Sequence, residues 1–93
     1  MSTKVLRGDV RQSPHGDWII LRTMRGYAGE SRTMVVIGRE TDDDGVAYAC
    51  ETRTYATVAA WPRIGRMRVS RRDDGGYYVA PWYGALPTRY ASP

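Results

Sequence analysis

The longest apolar runs in this chain are short, and that limits what it can fold into. The aliphatic ones are Ile19-Ile20-Leu21, preceded by Trp18, and Met34-Val35-Val36-Ile37, otherwise bounded by polar residues or glycine. Neither is long enough to form a buried helix by itself, and their β-branched content fits strands. The second run is apolar at every position, as in a strand covered on both faces. No run approaches the roughly 18 residues a membrane-spanning helix needs. The opening MSTKVLRGD does not have the pattern of a signal peptide, so a cytoplasmic protein is expected, with no membrane partner.

Between the apolar runs lies turn chemistry. SPHGD and RGYAGE collect Pro, Gly, Ser and Asp, and two Asp-Gly turns recur at Asp44-Gly45 and Asp74-Gly75. Strands are read in KVLRGDV, DWIILRT, TMVVIGR, VAYACETRTY, RIGRMRVSRR and GYYVAPWY, with RQSPHGD and MRGYAGESR as loops. In the fourth segment Val46, Tyr48 and Cys50 share one face by alternation. One short helix is expected near residues 54–61: Thr52 or Thr54 can cap it, Tyr55, Val58 and Ala59 fall at i, i+3 and i+4, and Pro62 ends it. The Thr-rich part could instead prolong the preceding strand. The expected fold is mainly β, an antiparallel barrel-like or strongly curved sheet of five to six strands. It forms a single domain over 1–83, followed by an extended tail over 84–93. Ninety-three residues suffice for one modest core.

Charge supplies the first functional hint. The net charge is +4, and of 14 basic residues only Lys4 is not arginine. Arginine pairs bidentately with phosphate or carboxylate and stacks on rings. The single cysteine, Cys50, excludes an internal disulfide and a cysteine-cluster zinc site, and nothing in the sequence brings it to the only histidine, His15. DDDG at Asp42–Gly45 lacks the spacing of a calcium loop, and RGYAGE lacks the ending of a phosphate loop. No paired carboxylates have a reason to be buried. No metal, cofactor or catalytic residue is therefore expected, and the chain is read as a binding protein rather than an enzyme.

The segment RMRVSRRDDGGYYVAPWY places four arginines before one turn and four aromatics after it. A two-residue Asp74-Gly75 loop, or a four-residue DDGG loop, pairs Arg72 with Tyr77, Met67 with Trp82 and Val69 with Ala80. The outer face then carries Arg66, Arg68 and Arg72 with Tyr77, Val79 and Pro81. A three-residue loop would exchange the faces of the second strand. Arg63 extends the patch, and Tyr27, between glycines, is an exposed loop aromatic. These six residues (Arg66, Arg68, Arg72, Tyr77, Arg63 and Tyr27) are the candidate partner-binding set. Arginines at every second strand position lie about 6–7 Å apart, close to the spacing of successive phosphates, and aromatics between them can stack bases.

The expected function is binding of a nucleic acid or a nucleoprotein complex. The alternative is a phage or mobile-element inhibitor of a host defence complex, anti-CRISPR-like, that docks on a protein with an acidic surface. A homodimer through a sheet edge is a further route of association, and the oligomeric state is open. LRGDV followed by GESRTMVVIG is similar in order to the ribonuclease toxins of the PemK/MazF type, although the interval holds an extra strand and Thr33 stands where a proline is expected. That resemblance implies a ribonuclease, with Arg32 and Thr52 as its candidate residues.

Overall fold

The computed structural model of the protein describes residues 4–26, 29–48 and 50–81. Along the chain these form β1 (Asp9–Ser13), β2 (Gly16–Gly26), β3 (Gly29–Gly38), β4 (Val46–Ala47), β5 (Cys50–Thr54), α1 (Tyr55–Ala59), β6 (Arg63–Arg71) and β7 (Tyr77–Pro81). The strands make one antiparallel sheet in the order β4-β7-β6-β1-β2-β3-β5. Its two edge strands, β4 and β5, are separated by only residues 48 and 49. Three chain steps span at most about 11 Å. The edges must therefore come together, and the sheet curls into a nearly closed barrel.

The expected fold class is what the structure shows, with seven strands in place of five to six. The additional strand arises because the segment 46–54 divides. Its first part pairs with β7 and its second with β3, so the chain crosses from one sheet edge to the other between them. The crossing also breaks the expected alternation: Val46 and Ala47 are both buried, while Tyr48 points outward. The first strand lies later than expected. Gly8 holds φ at +92°, and the β1–β2 turn tightens to Pro14 and His15, so Arg11–Ser13 join the ladder instead of looping. Val5 is still buried. Of the last predicted strand, Trp82 and Tyr83 lie outside the described residues, as does the 84–93 tail.

The run Met34–Ile37 is covered on both faces, as its composition implies. Val35 and Ile37 join Val5, Trp18, Ile20 and Val58 in one apolar cluster, over which Tyr55, Ala59 and Trp61 pack. Val36 joins Leu21, Ala47, Tyr77 and Val79 in the other, lined further by Ile19, Cys50, Met67 and Val69. The second cluster draws on β2 through β7 and fills the barrel. The first lies outside it, closed by α1. The helix forms where expected: Thr54 caps it, its side chain accepting from the Thr57 amide, and Val58 is its buried residue. Among the described residues no helix is long and apolar enough to cross a membrane.

Candidate functional site

The β6–β7 hairpin turns through three residues, Asp73, Asp74 and Gly75. The Arg72 amide donates to the Gly76 carbonyl, and the ladder runs Arg71 to Tyr77, Ser70 to Tyr78, Val69 to Val79 and Met67 to Pro81. Gly75, with φ at +88°, takes the left-handed position that closes such a loop. This register differs by one residue from a two- or four-residue loop, and one residue exchanges every side chain between faces. Tyr77 is therefore not on the outer face. It faces the barrel with Met67, Val69 and Val79, and is buried. Tyr78, 49% exposed, takes the outward place opposite Ser70, beside Arg68 and Arg72.

The outward arginines are not equivalent. Arg68 is exposed and Arg66 half-buried. Arg72 sits over the Tyr78 ring, 4.8 Å from its centroid, and makes an ion pair with Asp74 at 3.0 Å. Asp74 organises the tip: its carboxylate also accepts from the Gly76 amide at 3.1 Å and the Tyr48 hydroxyl at 2.9 Å. The Gly76 N–H, followed by Arg72 and Tyr48, holds the Asp74 carboxyl below its ordinary range. The same hydrogen bond to Asp74 raises the Tyr48 phenol, and Asp74 raises Arg72.

Arg63 does not extend this surface. Its side chain is 3% exposed and meets Asp9 at 2.9 Å, because the β1–β6 register places Arg63 beside Arg11. It also donates to the Lys4 carbonyl. Tyr27 lies outside the described residues.

A second cluster of arginine and tryptophan was not visible in the sequence. The β2–β3 register sets Ile19 against Gly38, and this brings Trp18 and Arg39, the next residues outward, side by side. The Arg39 guanidinium carbon lies 4.0 Å from the Trp18 ring centroid, and that of Arg53, on β5, lies 5.9 Å away. The Trp18 indole N–H donates to the Ser13 hydroxyl at 3.2 Å. Together with Pro14, His15, Glu40, Cys50, Glu51 and Trp61 they line a cleft of about 630 Å³. That is within the range of small-ligand sites. Hairpin symmetry alone would not have found it: counting back from Gly26 opposite Gly29 sets Trp18 against Ile37, and only the register shifts within the β2–β3 ladder bring it beside Arg39.

The cleft also brings His15 and Cys50 into one lining, which the sequence did not suggest. No hydrogen bond joins them, and burial pushes the Cys50 thiol up, away from a thiolate nucleophile. Thr52 is exposed on β5, while the Arg32 side chain lies outside the described residues. Among the described residues no group of His, Cys, Asp and Glu is placed to hold a metal ion. No family model, curated protein or solved structure matches this chain.

Proposed function

We propose that the protein is a small non-enzymatic binding module that engages nucleic acid through the outer face of the β6–β7 hairpin. One observation carries this reading: Arg68 and Arg72 stand on the same outward face as Tyr78, with Arg66 at its inner end. Guanidinium groups alternating along a strand match a phosphate backbone, and an exposed ring among them offers a base a stacking partner. Arg68 carries the freest charge. Arg72 is already held by Asp74 and Tyr78, and therefore presents its remaining donors in a fixed direction.

The test is fluorescence anisotropy with labelled single-stranded and duplex DNA and RNA at low and moderate salt. Affinity should fall as salt rises, and Arg68→Ala should weaken it and flatten the salt slope by about one phosphate contact. Binding that is absent, or indifferent to salt, removes the reading. A lysate partner retained after nuclease treatment would replace nucleic acid with a protein of acidic surface.

A further inference from the structure

The cleft between the β1–β2 turn and Trp61 shares no residue with the outer hairpin face. Its most informative feature is how Arg39 is held. One face of a guanidinium is as good a stacking surface as the other. The inner face of Arg39 lies over Trp18, and a bond of 2.7 Å from its Nη2 to the His15 carbonyl fixes it there. Arg39 itself is exposed, so part of its guanidinium surface is left for a ligand. Among the described residues it makes no ion pair, whereas the neighbouring Arg53 is paired with Glu51.

This arrangement selects a ligand class. The indole face is already occupied by a cation, so an ammonium ligand would meet Arg39 instead of the ring. An electron-rich flat ring suits the exposed face of the guanidinium. An anionic group suits its N–H edge. The carboxylates of Glu40 and Glu51 line the same cleft and can accept from exocyclic amino groups. Trp61, half-buried at the rim, offers a second ring surface.

We propose that this cleft binds a single nucleotide, its base stacked on the outer face of Arg39 and its phosphate within reach of the Arg39 and Arg53 guanidinium groups. The nucleotide has two possible sources, a free mononucleotide or one residue of a single strand. The site goes beyond the hairpin reading and does not depend on it.

The experiment is tryptophan-fluorescence titration of the full chain with AMP, UMP, adenosine and a short oligouridylate. A mononucleotide should quench saturably with Kd below about 1 mM, and Arg39→Ala should weaken this about tenfold or more. Arg39→Lys, which keeps the charge but loses the plane, should weaken it comparably. Arg68→Ala should leave it unchanged, so loss of the hairpin surface and loss of this site are told apart. Equal Kd for UMP and the oligouridylate assigns a free nucleotide. A tighter oligouridylate, or saturation by it alone, assigns a strand, provided that Arg39→Ala abolishes it in the Arg68→Ala background. Three results overturn the proposal: no saturable quenching by any probe, parental affinity in a folded Arg39→Ala or Arg39→Lys protein, or adenosine binding as tightly as AMP.

Discussion

Asp9 and Arg11 meet at 3.0 Å with both side chains removed from water. Arg63 reaches the same carboxylate from β6 at 2.9 Å, and the Leu6 amide donates to it at 3.0 Å. Arg11 also donates to the carbonyls of Trp61 and Lys4, at 2.9 and 3.0 Å. The cluster thereby ties β1 and β6 to the segment before β1 and to the end of the helical turn. A buried charge that loses its partner stays desolvated. Asp9→Ala should therefore cost about 3–5 kcal/mol. That is a large part of the 5–15 kcal/mol, roughly, that holds a domain folded. Urea unfolding should show a lower midpoint at unchanged slope. A loss below about 1 kcal/mol would mean that the arginines reach water or other partners without Asp9.

Gly8 marks the crossing of β1, β2 and β6. Its amide donates to the Ile20 carbonyl at 2.8 Å, and its carbonyl accepts from the Met67 amide at 2.7 Å. A Cβ there would sit 2.2 Å from the Met67 carbonyl oxygen, at a φ of +92°. Gly75 has a similar φ, +88°, but a Cβ on it would meet open space. Gly75→Ala should cost only the backbone term, about 1–2 kcal/mol. Gly8→Ala should cost clearly more, since backbone must also move. Thermal melts of the two variants give the comparison, and equal shifts would contradict the close approach.

The parts of this fold that follow from local rules could be read in the sequence. Thr54, the Tyr55–Val58–Ala59 spacing and Pro62 define the helix without outside help. Met34–Ile37 is apolar at every position because the barrel lies under one face of β3 and α1 over the other. Register was less accessible. Asp73-Asp74-Gly75-Gly76 can close a loop of two, three or four residues, and only the three-residue form buries Tyr77 and exposes Tyr78. The fate of Arg63 was beyond local reading. Its partner Asp9 lies far away in sequence, and only the β1–β6 pairing unites them. The division of 46–54 was hidden for the same reason, since it follows from closure of the barrel and not from residue preference.

At the hairpin tip the pH response has a definite sign. The folded-state carboxyl of Asp74 lies below its unfolded value, chiefly because the Gly76 amide donates to it. Its contribution is complete above the ordinary aspartate value, about 3.9, and is lost as pH falls through the lower folded value. The Gly76 amide resonance should therefore titrate with a midpoint below about 3.9. Asp74→Asn should erase that step and free Arg72 and Tyr48. A midpoint at or above the ordinary range would show that the tip network does not persist in solution.

Cys50 lets the non-enzymatic reading be checked chemically. A cysteine nucleophile needs a depressed pKa, usually from a nearby cation or an imidazole. Here burial acts the other way and raises the thiol. Because the folded pKa is raised, the associated stability is intact below the unfolded thiol value, about 8.5, and declines as pH rises through the folded one. Iodoacetamide should alkylate Cys50 in the native protein more slowly than a free cysteine at pH about 8, and at the free rate once urea unfolds the chain. His15 shares the cleft lining, so His15→Ala should leave the native rate unchanged. Native alkylation faster than the free thiol, slowed by His15→Ala, would show that the two residues form a reactive pair and would replace the binding-module reading with an enzymatic one.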